Sequence, residues 1–285
     1  MRRILKAAAL AGACFAGAAS AGTVYSYPDF SSLSDFQLNG SAAVIGNPVV
    51  DANNQSVLRL TNSLGQSGSA FLTNAVTLAS NASFSAAFSF RISNPIGISD
   101  GDGQGADGIT FVVQTVSNTA GGFGGGIGYA GLPKSVGVEF DTYDNGAGSN
   151  DPNGNHVGIN VDGGFNGPTS IVSPRMNDGN AWYAWVDYNG DTDTVEVRLS
   201  QSSTRPNSPL LTRVVDLAAI LESTSAFVGF TSGTGAAGGY HDITSLTFVN
   251  EFAPIVDPNN DVPEPAPLML LGLGLASLLW RRKRG

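Results

Sequence analysis

Between Glu139 and His156 an otherwise charge-poor chain gathers Glu139, Asp141, Tyr143, Asn145, Asp151 and His156 within eighteen residues. Carboxylate, amide and carbonyl oxygens are hard ligands and an imidazole adds a nitrogen, so the set suits a divalent cation. Side chains on a strand alternate between faces with period two. Val136, Val138 and Phe140 share one parity, whereas Glu139, Asp141, Tyr143 and Asn145 share the other. Downstream, Val157, Ile159 and Val161 alternate against His156. If the two segments pair in one sheet, the apolar sets line a core and the polar sets converge on the opposite face. Asp151 would then come from the Gly- and Asn-rich loop between them. A solvated strand face with a polar turn would explain any one of these acids, but not six ligand types in this order.

The elements that must hold such a cluster are short alternating runs. Residues 83–92, 109–113, 182–188, 195–199 and 246–252 alternate between Gly, Asn, Asp and Pro clusters, which predicts an antiparallel all-β fold. Asn189-Gly190, between two such runs, marks a hairpin. Residues 215–223 predict a short helical turn, and the size and pattern suit a jelly-roll sandwich. Asp187, Asn189 and Asp191 have the early spacing of a calcium loop but lack its later Gly and Glu, and read as a hairpin turn.

The cluster resembles the metal-binding signature of the L-type (legume-type) lectins, E-x-D-x-[YF]-x-N followed by Asp and, five residues on, His. Every element is present in order as Glu139, Asp141, Tyr143, Asn145, Asp151 and His156. The resemblance implies a concanavalin-like jelly-roll β-sandwich with two cations. Manganese (Mn2+), or another transition metal, would lie among Glu139, Asp141, Asp151 and His156. Calcium (Ca2+) would be held by Asp141, Asn145, Asp151 and the main-chain carbonyl of Tyr143. The loop from Asn145 to Asp151 is one residue longer than in many plant members.

Further matches extend the resemblance over about 230 residues. GADGITFVV, residues 105–113, is similar to the strand entry whose Asp accepts hydrogen bonds from sugar hydroxyls. It implies a cis Ala106–Asp107 peptide and makes Asp107 the leading sugar contact. GGFGGGIGYAG, residues 121–131, is similar to the glycine-rich loop whose backbone NH groups touch the sugar. Among Gly124, Gly125 and Gly126 the favoured contact is Gly126. Residues 228–248 are similar to the final strand pair, with Leu246 where Trp is usual. The loop at 234–239 implies Ala236 and Ala237 as backbone contacts near the sugar. His241 matches a structural position and is expected to be buried and satisfied. Asn145 and Tyr143, the latter as a stacking surface, complete the implied carbohydrate-binding set.

Both ends carry sorting signals. Residues 1–21 combine Arg2, Arg3 and Lys6 with an apolar core and Ala19-Ser20-Ala21, as a secretory signal peptide does. The single cysteine, Cys14, falls within it; a lipoprotein signal is the alternative, although Leu is missing three residues earlier. The expected domain therefore spans 22–254 without a disulfide, followed by a linker at 255–261. Residues 262–285 resemble the PEP-CTERM sorting signal of Gram-negative bacteria: Val262-Pro263-Glu264-Pro265, an apolar run from Ala266 to Trp280, then Arg281-Arg282-Lys283-Arg284. As a helix those fifteen apolar residues reach about 22 Å, against roughly 30 Å of hydrocarbon. Transient membrane association and exosortase-type processing are implied, with an ordinary tail anchor as the alternative. The destination is the cell surface or the extracellular space.

Between the two signals lie seven basic and twenty-two acidic residues, a net charge of −15. That balance argues against nucleic acid as a partner. The resemblance implies a secreted, non-catalytic, calcium-dependent protein whose partner is a glycan or polysaccharide, with oligomeric state left open. Two rivals stand beside it. One is an adhesive envelope module with the same fold and little sugar affinity. The other is a laminarinase-type glycoside hydrolase, whose E-x-D-x-x-E motif would need Glu where Asp144 stands and a carboxyl pair about 5 Å apart; Asp144 also has the wrong parity to join Glu139 and Asp141.

Overall fold

The computed structural model describes residues 22–122 and 124–256. The expected signal peptide, the PEP-CTERM segment and most of the linker lie outside the described residues. In chain order the strands begin with β1 (Val24–Tyr27), β2 (Phe36–Gly40), β3 (Val49–Val50), β4 (Ser56–Thr61), β5 (Ser67–Leu72), β6 (Val76–Thr77), β7 (Phe84–Gly97) and β8 (Gly108–Gln114). They continue with β9 (Ser135–Asp141), β10 (His156–Val161), β11 (Thr169–Ile171), β12 (Trp182–Asn189), β13 (Thr194–Ser200), β14 (Leu211–Val214), β15 (Ser225–Gly233) and β16 (Ala237–Val249). Two one-turn helices, α1 (Ser41–Val44) and α2 (Leu217–Leu221), accompany them.

The strands form two sheets. One runs β14-β13-β12-β7-β16-β4-β3 with β1 paired to β16; the other runs β11-β10-β9-β8-β15-β5-β2 with β6 paired to β15. The pairings are antiparallel, so the molecule is an all-β jelly-roll sandwich. Its core is the set of inward residues that the alternation selects: Val136, Val138, Phe140, Val157 and Ile159 from the second sheet meet Phe84, Phe88 and Phe90 from the first. Phe88 stands at the centre, stacked on Phe111 at 5.3 Å and edge-on to Phe230 at 5.1 Å and Phe140 at 5.7 Å.

Local pattern locates most strands but misplaces some ends. The last strand, expected at 246–252, covers Ala237–Val249 instead. Its first half is small and polar, yet β7 and β4 flank it and pair with it through irregular registers. There Asp242 forms a buried bidentate pair with Arg59, both bonds 2.7 Å. Phe252, counted in the expected strand, lies beyond it and is 44% exposed. The Asn189-Gly190 hairpin joins β12 to β13, but Asn189 pairs with Thr194, so the turn is the four residues 190–193. The Asn189 Oδ1 accepts from the Asp191 NH at 3.0 Å, and a Cβ on Gly190 would stand 1.9 Å from the Asn81 carbonyl oxygen. Helix α2 falls within the expected helical segment and is capped by the Asp216 Oδ1, which accepts from the Ala219 NH at 2.9 Å.

Candidate functional site

Strands β8, β9 and β10 lie side by side, with Glu139 opposite Thr110 and Gly158, and Asp141 opposite Gly108 and His156. On the face of β9 away from the core stand Ser135, Gly137, Glu139 and Asp141, all of them buried. Two glycines make the space. A Cβ on Gly158 would sit 2.0 Å from the Glu139 Oε1, and one on Gly137 would sit 2.7 Å from the Tyr129 ring. Tyr129 packs there with Phe71, Val112 and Leu132 as a second small core.

Strand β9 ends at Asp141, so parity accounts for Glu139 and Asp141 but not for Tyr143 and Asn145. Turn chemistry positions those two. The Asp141 Oδ1 accepts from the Tyr143 NH at 2.8 Å, and the Asp151 Oδ2 accepts from the Asn145 NH at 2.7 Å. The chain thus folds back so that Asp151 returns to the cluster.

One ligand atom from each of Glu139, Asp141 and His156 lies within 4.8 Å of the others. The His156 Nε2 is 3.8 Å from both the Glu139 Oε1 and the Asp151 Oδ1. Burial holds the imidazole pKa below its ordinary value. The Asn153 carbonyl, 2.9 Å from Nδ1, can only accept, which puts the proton on Nδ1 and leaves a lone pair on Nε2. The carboxylates crowd in the opposite sense. Burial, with repulsion from Asp151, pushes Glu139 up to about 8 and Asp107 up to about 7. Burial also raises Asp151 to about 6, and Asp141 lies well above the usual range through burial and then its acidic neighbours Asp151 and Glu139.

The Glu139 Oε2, the His156 Nε2 and the Asp107 Oδ2 are buried without a hydrogen-bond partner. Buried polar atoms normally have one. Unpaired acceptors among crowded carboxyls of raised pKa are an arrangement that a divalent cation would satisfy. The donor set fits: carboxylates with an imidazole suit a transition metal, and carboxylates with an amide and a backbone carbonyl suit calcium.

Asp107 joins this centre to the neighbouring loops. It is 4% exposed and follows a cis peptide from Ala106. Its NH donates to the Gly233 carbonyl at 3.2 Å, and its carbonyl accepts from the Thr142 NH at 2.9 Å. The glycine loop arrives from another side: a Cβ on Gly125 would lie 2.6 Å from the Asn145 Oδ1, so Gly125 approaches that amide most closely. Gly126 turns toward Ala130, and its carbonyl accepts from the Tyr129 NH at 2.7 Å. Asn145 is exposed, Tyr143 half-buried and Ala236 exposed, while Ala237 is buried at the start of β16 opposite Gly97. The structure therefore gathers Glu139, Asp141, Asp151 and His156, sets Asn145 beside Asp151 and Gly125, and ties Asp107 to Gly233 and Thr142.

His241 is buried as expected but only half satisfied. Its Nδ1 is 2.5 Å from the Thr61 Oγ1, whereas its Nε2 has no partner. Residues that the motif did not include also shape the site. Besides Gly158 these are Asp100 and Asp102, whose carboxylates accept from the NH groups of Asp144 and Gly154, both at 2.8 Å. Their signal in the sequence is the Asp-Gly-Asp-Gly turn just before Asp107.

A two-sheet jelly roll with a carboxylate and imidazole centre beneath its loops defines the class of lectin-type sandwiches. The chain belongs to the legume lectin domain family, whose model matches residues 23–263. A PEP-CTERM protein-sorting motif matches residues 261–284. Among relatives, the seed lectin of Styphnolobium japonicum is 33% identical over 179 residues, covering 59% of this chain and 57% of that one. The L-type lectin-domain containing receptor kinase VIII.1 of Arabidopsis thaliana is 32% identical over 190 residues, covering 64% of this chain and 26% of the kinase. This chain thus spans about a quarter of the length of such kinases. Among solved structures, peanut lectin aligns with a TM-score of 0.62 at 27% identity, covering 81% of this chain and 97% of that one. Basic winged bean lectin with Tn-antigen aligns with a TM-score of 0.64 at 25% identity, covering 80% and 98%.

Proposed function

We propose that this protein is an exported, calcium-dependent carbohydrate-binding protein that performs no catalysis. The observation that carries the proposal is the set of buried unpaired atoms on Glu139, His156 and Asp107, with Asp151 linking His156 to the Asn145 NH and Gly125 lying beside the exposed Asn145 amide. Asp141, Asn145, Asp151 and the Tyr143 carbonyl would hold calcium; Glu139, Asp141, Asp151 and His156 would hold manganese or another transition metal. A bound cation supplies positive charge that neutralises the crowded carboxylates and orients their loops.

The chain's own residues then present a sugar site. Asp107 accepts from sugar hydroxyls, the Asn145 amide donates, and NH groups of the 124–126 loop, with that of exposed Ala236, complete the polar rim, while Ala237 is buried behind it in β16. Tyr143 offers a stacking face. Polar groups held in place before the ligand arrives lose little entropy on binding it. Hydrolysis is disfavoured because Asp144, the third acid of the rival motif, is exposed and turned into its own loop, where it accepts from the Gly146 NH at 2.7 Å. The leader at 1–21, the domain at 22–254, the linker at 255–261 and the sorting segment at 262–285 fit delivery to a Gram-negative cell surface after exosortase-type processing. There a role in extracellular polysaccharide or adhesion follows from glycan binding.

A glycan array with calcium and with EDTA tests the proposal. EDTA should abolish glycan binding and lower the Tm, and calcium should restore both. Asp107→Ala should lose the glycan while its calcium-loaded Tm stays within a few degrees of wild type. Glycan binding that survives verified metal removal would sink the mechanism, and a wild-type protein that takes up calcium but no glycan would leave the structural module.

A further inference from the structure

The loop between β7 and β8 contains Asp100-Gly101-Asp102-Gly103, two carboxylates outside the ligand motif. The loop is tightly tied. The Asp100 Oδ1 accepts from the NH groups of Asp102 and Gly103, each at 2.9 Å, and the Asp100 NH donates to the Gly103 carbonyl at 3.1 Å. A bridge between Ser99 and Gln104 closes its base. The second oxygens point elsewhere: the Asp100 Oδ2 accepts from the Asp144 NH and the Asp102 Oδ2 from the Gly154 NH, both at 2.8 Å.

Asp144 and Gly154 bracket the segment that carries Asn145 and Asp151. Each carboxylate oxygen holds one of these backbone NH groups in place, so each end of the segment is fixed by an acceptor from the other loop. Position 154 is built for this contact, since a Cβ there would lie 1.9 Å from the Asp100 Oδ2 and 3.1 Å from the Asp144 nitrogen. The same loop leads directly into Asp107. We infer that Asp100 and Asp102 are positioning residues that clamp both ends of the 144–154 loop, so that the affinity for a divalent cation depends on hydrogen bonds from residues that do not touch it. One loop then sets the distance between the cation ligands and Asp107.

The inference rests on the cation site proposed above, and its test separates the two. Calcium binding is measured by titration calorimetry on the metal-stripped chain for wild type, Asp102→Ala, Asp102→Asn and Asp100→Ala, with the Tm of each in EDTA and in calcium. Partners that orient a ligand shell are worth about 10–100-fold in metal affinity. Asp102→Ala and Asp100→Ala should therefore weaken calcium at least about tenfold, while their Tm in EDTA stays near the wild-type value. Asp102→Asn keeps an oxygen for the Gly154 NH and should restore affinity to within about threefold, which a residue acting through its charge would not do. Unchanged calcium affinity in both alanine variants overturns the clamp, as does Asp102→Asn as weak as Asp102→Ala. A Tm in EDTA that falls as far as the Tm in calcium overturns it too, because the loss would then be one of general stability. Wild-type protein that takes up no calcium removes the cation site and the clamp together.

Discussion

At the residue scale the molecule separates two kinds of buried histidine. His156 has a backbone carbonyl on Nδ1 and acids facing Nε2, so its unpaired nitrogen looks into a cluster of ligand types. His241 has a hydroxyl on Nδ1 and no partner on Nε2. Burial drives its pKa down to about 3, against about 6.5 for an unfolded histidine. The sign follows from where the proton binds. Below pH 6.5 the unfolded chain takes up a proton that the folded chain refuses, so the stability tied to neutral His241 is complete above that pH and is lost as pH falls toward 3. Between pH 7 and pH 5, in EDTA, wild type should lose about 2 kcal/mol more than His241→Gln, which carries no titrating group there. Denaturant unfolding of both proteins at the two pH values measures this; parallel losses would show that His241 is protonated in the fold.

At the element scale, strand alternation and chain length do different work. Alternation sorts β9 and β10 into a core face and a polar face, and the core face is continuous across the sandwich through Phe88 and its ring contacts. Phe88→Ala should therefore cost about 3–5 kcal/mol. Val44→Ala, at a position 80% exposed, should change stability by less than about 0.5 kcal/mol. Midpoints and slopes of urea unfolding decide the matter, and a loss below about 1 kcal/mol for Phe88→Ala would mean that the sheets do not share one core. The ends of elements were less legible. The run that includes Leu246 was visible because its apolar residues alternate, but residues 237–245 show no such pattern and are strand because two neighbours pair with them. Tyr143 and Asn145 share the parity of Glu139 by counting alone; the strand stops at Asp141, and side-chain turns take over.

For the whole molecule, charge and compartment set the terms. The region 22–261 carries twenty-two acidic and seven basic residues and no cysteine, so no disulfide supports it and bound metal is the expected extra source of stability. A negative field attracts a cation and is screened by salt. Raising NaCl from about 20 to about 500 mM should weaken calcium binding about threefold or more, whereas glycan affinity at saturating calcium should shift less than about twofold, since uncharged hydroxyls feel little of the field. Paired titrations at the two salt concentrations check this. Equal salt dependence of both ligands would place an ionic contact in the sugar site.

By itself the sequence determined the types of the six clustered polar residues, the all-β alternation, the apolar face behind the acids and the C-terminal sorting motif. These are local properties: ligand chemistry belongs to the residue, and period two belongs to the strand. Tertiary structure alone decided which carboxylates meet, that Gly158 clears space for Glu139 and that Gly125 approaches Asn145. It also decided that Asp100 and Asp102, 44 and 52 residues from their partners, hold the loop carrying Asn145 and Asp151. Contacts of that kind join backbone groups of remote segments, and a backbone NH has no signature in the amino-acid alphabet. Only the packing of β8, β9 and β10 beneath shared loops brings them within hydrogen-bonding distance.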